Sequence, residues 1–265
     1  MTYHTTKFGL PGSLSVEMRD DVAILRLSRA EKRNAIDIAM AEGIDRFFSE
    51  LPHGTRAVVI HGAGDHFSGG VDLSALSESD VSSALFDSRS IHRILEKVEQ
   101  CLVPVIAVLH GAVIGLGLEL AAAAHIRVAE RSAFYALPEA IRGIFVGAGA
   151  AVRVPRLIGV PRMMDMMLTG RTYGAEEGLA LGLSQYLVER GEGLAKGVEL
   201  AARVSTNAPL SNYAVLQALP RIARAEPEAA FLLESLMAAV AVASDEAKLR
   251  LRAFLEKRAQ KVSHN

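Results

Sequence analysis

Tryptophan is absent from this 265-residue chain, cysteine occurs once, and aromatic residues make up only 5% of it. The single cysteine, Cys101, excludes an internal disulfide framework and any cysteine-cluster zinc site. A reducing compartment, the cytoplasm, is the simplest setting for such a chain. An excess of either charge is also missing: 29 basic residues stand against 30 acidic ones, for a net charge of −1. A protein that grips nucleic acid mainly by neutralising phosphates is normally basic, so no nucleic-acid partner is expected. Long apolar runs are lacking too. No uninterrupted stretch reaches the roughly 18 residues of a membrane span. The longest candidates are broken by Glu119 or by glycine and proline, and no membrane partner is expected. Met1 to Leu10 holds no apolar core of signal-peptide length. What is present is a chain half hydrophobic and 22% charged. That rules out bulk disorder and supplies core for one large domain, or for a core with a smaller appendage.

Hydrophobic patterning gives the order of elements. Val16 and then Val22 to Leu27 (VAILRL) read as two short strands around Asp20-Asp21. Ile36, Met40, Ile44, Phe47 and Phe48 place a helical stripe on Ala35 to Leu51. Ala57 to Ile60 and Val103 to Leu109 are apolar runs of buried-strand length, with a helix between them over Ala84 to Cys101. Each of those strands leads into a glycine-rich turn: GAGDHFSGGVD from Gly62, and HGAVIGLG before the small-residue helix LELAAAAH. Ile126 to Ala129 and Phe134 to Leu137 add strands, and a third glycine cluster, Gly143 to Gly149, leads into another helix. Alternation of strand, glycine turn and helix predicts an α/β fold. Beyond Asn207-Ala208-Pro209 the pattern is helical to the end, with apolar faces such as Phe231, Leu232, Leu236 and Val240. A core domain over 1–205 and a helical region over 206–265 are expected.

Few side chains carry an obvious chemistry. Three Gly-x-Gly turns lack the third glycine of a dinucleotide-binding loop, so no nucleotide cofactor is expected. His61, Asp65 and His66 have no metal-ligand spacing, and no metal is expected. Ser68 lies in FSGGV, outside a G-x-S-x-G nucleophile elbow. The methionines of RMMDMML read as core or subunit contact, and Cys101 as a small buried hydrophobe. Glu119 is different, because apolar or tiny residues surround it. A carboxylate buried there is costly unless it is paired, for instance with Arg127 or Arg153, or used in chemistry. Glu139 follows Pro138, where a helix-start carboxylate is the plain reading and acid–base chemistry the sharper one. Twenty positions separate the two, so no single helix face can join them.

Six segments, in order, resemble the crotonase superfamily, specifically its enoyl-CoA hydratase/isomerase family. They are RAEKRNAI (29–36), HFSGGVDL (66–73), HGAVIGLGLELA (110–121), ALPEAIRGIFVGAGA (136–150), LTGRTYGAEEGLALGL (168–183) and AFLEKRAQK (253–261). The resemblance implies an α/β spiral of strand-strand-helix turns followed by a helical trimerisation region, in a homotrimer or homohexamer. It implies an enoyl-CoA hydratase that adds water across the C2=C3 bond of an enoyl-CoA thioester, with coenzyme A part of the substrate and no further cofactor. Glu119 and Glu139 match the two catalytic glutamates, and the backbone N–H groups of Val71 and Leu116 match the oxyanion hole. Lys32, Arg33, Gly69, Gly70, Asp72, Gly147, Phe254 and Lys257 match positions that hold the coenzyme or the acyl portion. Ala30, Val71, Leu116, Val146 and Leu249-Arg250 depart from the commoner residues at their positions, and those departures leave the acyl preference open. A double-bond isomerase, an aromatic enoyl-CoA hydratase-lyase and a non-catalytic acyl-CoA or RNA-binding relative stay as alternatives.

Overall fold

The computed structural model describes residues 9–72 and 80–258. Leu73 of the second segment above and Ala259 to Lys261 of the sixth lie outside them. The chain divides into two compact units, Met1–Ser205 and Thr206–Asn265.

In the first unit, β1 (Leu14–Arg19) and β2 (Val22–Leu27) form an antiparallel hairpin, turned by Asp20 at φ 52°. Helix α1 (Ile38–Ser49) begins later than its apolar stripe. Ile36 of that stripe is taken into a bridge with Val71, and the Asp37 carboxylate caps the helix by accepting from Met40 N–H at 2.8 Å. Such a cap is worth about 1 kcal/mol. There follow β3 (Ala57–Gly62), α2 (Val81–Glu99), β4 (Val105–Leu109), β5 (Ala112–Ile114), α3 (Leu116–Ala123), β6 (Ile126–Glu130) and β7 (Phe134–Ala136). Next come α4 (Ala150–Ile158), α5 (Val160–Thr169), β8 (Tyr173–Gly174), α6 (Ala175–Leu181), β9 (Tyr186–Val188) and α7 (Gly193–Ser205).

A six-stranded sheet runs β1-β2-β3-β4-β6-β9, parallel from β2 onward. A three-stranded sheet runs β5-β7-β8. Two turns of the spiral each lay one strand in the large sheet and one in the small sheet, then add a helix: β4-β5-α3, then β6-β7-α4. The HGAVIGLG segment, read from sequence as a turn, holds β5. A strand of three residues is too short to show a period.

Both faces of the large sheet are buried, as parallel strands require. Leu25, Ile60, Ala107 and Leu109 belong to the main core with Met40, Ile44 and Phe47 of α1 and Leu95 and Val98 of α2. Ile24, Val59, Ile106 and Val108 form a second core with Leu200 and Ala201 of α7. Of the Met cluster, Met163, Met166 and Met167 are buried in the main core and Met164 is exposed. Cys101 is buried, and burial pushes its thiol pKa up.

The second unit contains α8 (Pro209–Tyr213), a π-helical turn over Ala214–Ala218, α9 (Leu219–Ile222), α10 (Pro227–Ala243) and α11 (Asp245–Leu255). Helix α10 buries none of its residues within a single chain, although Phe231, Leu232, Leu236 and Val240 all lie on it. Among the described residues no single helix is long and apolar enough to cross a membrane.

Candidate active site

Two tight bends meet at one point of the spiral. The first is the Gly69–Asp72 loop, which pairs with Ile36 as a single parallel bridge. Ile36 N–H donates to Gly70 O at 2.8 Å and Asp72 N–H donates to Ile36 O at 2.9 Å. Alternation along an extended backbone then turns the N–H of Val71, between them, to the opposite side. The second bend is Gly115, which begins α3 with φ 52° and ψ −123°. Leu116 N–H belongs to the first helical turn, where the helix itself offers no acceptor. Among the described residues neither Val71 N–H nor Leu116 N–H has a hydrogen-bond acceptor. The bends touch: a methyl group on Gly70 would lie 3.0 Å from Ile114 O and 3.7 Å from Leu116 N. Two unused donors beside a helix N-terminus make a site for a negatively charged oxygen.

Both glutamates converge here. Glu119 sits one turn into α3 and is 2% exposed. Its Oε2 accepts from Ala150 N–H at 3.4 Å, and the amides of Ala148 and Gly147 also favour its ionised form. Burial outweighs these donors, the negative charge of Glu139 adds to burial, and the Glu119 pKa is raised to about 7. Glu139 starts the short 3-10 turn Ala140–Arg142 and is 8% exposed. It lies against the α3 bend, since a methyl on Gly115 would come 2.7 Å from its Oε1. Glycine is thus required at 115 by both its backbone angle and its neighbour. Burial raises the Glu139 pKa as well, against the opposing pull of its own backbone N–H and Arg142. Its Oε2 is buried with no hydrogen-bond partner among the described residues.

The ion pair read for Glu119 is absent, whereas Glu139 does start a short helical turn. Arg127 does not pair with Glu119. Its guanidinium donates to the carbonyls of Leu183, Ala121 and Ala124, and burial lowers its pKa to about 10. Arg153 pairs instead with Glu99, Nη2 to Oε2 at 2.8 Å. The side chain of Glu139 makes no cap bond to the turn it begins. Both carboxyls are buried, neither is in a salt bridge among the described residues, and the charge of Glu139 raises the proton affinity of Glu119.

The early loops gather the expected coenzyme residues of the first unit. Lys32 and Arg33 are exposed on the turn after β2, and Arg33 O accepts from Gly69 N–H at 2.8 Å. Asp72 accepts from Arg29 Nη2 at 2.9 Å. Gly147 is half-buried, and its carbonyl accepts from Ser88 Oγ at 2.7 Å. Phe254 and Lys257 lie in the second unit, Phe254 exposed on α11 and Lys257 just beyond it at φ 58°. His61, Asp65 and His66 have separate partners or surroundings. His66 Nδ1 accepts from Ala112 N–H at 3.1 Å, Asp65 pairs with Arg190 at 3.0 Å, and burial lowers the His61 pKa to about 4.

Residues with no assigned role in the sequence hold the first bend. Asn34 is fully buried, and its side chain donates to Ala63 O at 2.9 Å and His66 O at 2.7 Å. Ser68 Oγ donates to Asn34 O at 2.9 Å and accepts from Gly70 N–H at 3.2 Å. The available signal was an asparagine amid charged turn residues, the residue type that best tolerates left-handed backbone after glycine.

The family model for enoyl-CoA hydratase/isomerase matches residues 17–264. The chain belongs to the enoyl-CoA hydratase/isomerase family. Enoyl-CoA hydratase EchA19 of Mycobacterium tuberculosis is 32% identical over 249 residues, 92% of this chain and 94% of that protein. A solved structure from Rhodopseudomonas palustris, described as an enoyl-CoA hydratase, is 56% identical with a TM-score of 0.92, covering 94% of this chain and 96% of that one. The enoyl-CoA hydratase structure from Bacillus anthracis is 28% identical with a TM-score of 0.87, covering 94% and 98%. As a member of this family the chain has the crotonase fold, and its substrates are acyl-CoA thioesters.

Proposed function

We propose that this enoyl-CoA hydratase/isomerase family member is a hydratase that adds water syn across the C2=C3 bond of a trans-2-enoyl-CoA. The observation that carries the reading is the pair of buried carboxyls, Glu119 and Glu139, neither in a salt bridge among the described residues, beside the unused amides of Val71 and Leu116. In this reading the thioester oxygen accepts from both amides. Glu119, with a pKa near neutrality, removes a proton from a water held between the carboxyls as the water oxygen bonds to C3. The C2=C3 electron pair moves toward the thioester, and the enolate charge that develops is met by the two amides and the α3 dipole. Glu139, whose proton affinity burial raises, delivers a proton to C2. Lys32 and Arg33 meet the coenzyme phosphates, and the Gly69–Asp72 loop meets its adenine and pantetheine. Gly147 completes the binding set of the first unit, and the family resemblance alone assigns Phe254 and Lys257 to the coenzyme.

The same reading assigns the apolar, unburied α10 to contact between copies, in a homotrimer or a homohexamer.

Incubation with crotonyl-CoA should bleach the conjugated thioester absorbance and give a product heavier by one water. Glu119→Gln and Glu139→Gln should each lower turnover at least about a hundredfold, the scale of a lost acid or base. A product of unchanged mass would make the enzyme an isomerase. Full activity in both variants would refute the assignment.

A further inference from the structure

The loop that receives the Glu119 carboxyl is itself gripped from behind. Arg153, in the first turns of α4, reaches back past its own helix start. Its Nη1 donates to Ala148 O at 2.9 Å, and its Nε and Nη2 both reach Glu99 Oε2 at 2.8 Å. Its side chain is 10% exposed. Gly149 makes the grip possible: its φ is 108°, and a methyl group there would lie 2.2 Å from Arg153 Nη1. Ala148 is therefore used on both sides, its N–H toward Glu119 and its carbonyl toward Arg153.

Glu99 is fixed in turn. It ends α2, and its carbonyl accepts from His125 Nε2 at 3.1 Å, while His125 Nδ1 accepts from Val105 N–H at 2.9 Å. The acceptor role of Nδ1 sets the proton on Nε2. Ser88, three turns earlier on α2, bonds the Gly147 carbonyl. Helix α2 thus holds the glycine loop at two points, directly through Ser88 and through Arg153 by way of Glu99.

We propose that Arg153, anchored by Glu99, is a positioning residue for the active site: it fixes the Gly147–Ala150 amide edge on which the Glu119 carboxyl rests. Its importance for turnover rests on the hydratase reading; its effect on the Glu119 proton does not. No ion pair joins Arg153 to Glu119, so the influence passes through amide geometry and not through charge. Loosening the edge weakens the donors that oppose burial, and the neutral form of Glu119 gains. Among the described residues Glu139 is the charged group that acts on Glu119, and Glu99 and His92 of α2 are those near Arg153.

The test follows the Glu119 carboxyl by carbon-13 NMR of protein labelled at glutamate, with Glu119→Gln identifying the signal. In Arg153→Met the titration midpoint should rise by about one pH unit, a tenfold gain in proton affinity. Arg153→Lys, which keeps the charge but not the forked bonds, should rise by less. The acid limb of kcat/KM should move the same way, with kcat lowered and KM for the enoyl-CoA little changed. If Arg153→Met does not fold, Glu99→Gln supplies the same reading through the loosened anchor. A midpoint unchanged in a folded variant would overturn the proposal. A wild-type protein that hydrates no enoyl-CoA would sink the hydratase reading and leave the NMR result to judge the clamp alone.

Discussion

Burial makes the ionised form of Glu119 costly, and that cost has a measurable sign. Its pKa rises from 4.5 to about 7 on folding, so the folded chain binds the proton more tightly across that range. The stability this supplies is complete below about pH 4.5 and is lost as pH climbs through 7. Glu119→Gln removes the burden. The variant should be more stable than wild type by on the order of 2–3 kcal/mol at pH 8, with a thermal midpoint several degrees higher and a smaller gain at pH 5. Thermal melts of both proteins across that range check it. A gain of equal size at both pH values would remove the pH-linked part of this explanation. A residue that lowers stability while serving turnover is expected at a site built for chemistry.

The start of α3 can be altered without replacing either carboxyl. Leu116 is the first residue of α3, a position that accepts proline, since its N–H has no helical partner. Leu116→Pro should keep the fold and delete one oxyanion donor, lowering kcat about 10²- to 10³-fold. Leu116→Ala, which keeps the amide, should retain far more activity, and steady-state kinetics of the two variants separates amide from side chain. Gly115→Ala should be worse for the fold than an ordinary surface alanine. It combines a strained φ of 52° with a methyl 2.7 Å from Glu139 Oε1. A loss of about 1–3 kcal/mol in denaturant unfolding is expected. At this scale the sequence was readable where elements are long. The stripes of α1 and α2 and the apolar runs of β3 and β4 are visible in composition alone. The three residues of β5 carry no period, and the start of α1 was obscured because Ile36, part of its apolar stripe, is drawn into a bridge with Val71 far along the chain.

Across the whole molecule, the glutamates were visible as types and invisible as a pair. Glu119 stood out because a charge amid alanine and leucine demands a reason. Nothing in the residues between them shows that β6 and β7 carry the chain out and back to bring Glu139 against Gly115. The support network was harder still. Asn34, Ser68, Glu99 and Arg153 look like ordinary polar residues until the spiral stacks their loops. The helical tail carries its own signal, because α10 is apolar and buries nothing by itself. If that face joins copies of the chain, Leu232→Glu with Leu236→Glu should convert a trimer or hexamer of the 28.3 kDa chain to smaller species in sedimentation velocity. An unchanged assembly, or a wild type that sediments as a single chain, would count against it.

The central claim is that two carboxyls remote in sequence act as one unit on a single water. Turnover of crotonyl-CoA by Glu119→Gln, Glu139→Gln and the double variant tests it most directly. Groups that act together fail together, so each single variant should lose at least about a hundredfold and the double variant little more than the worse single one. Wild-type turnover in either single variant, or losses that multiply in the double, would contradict the account.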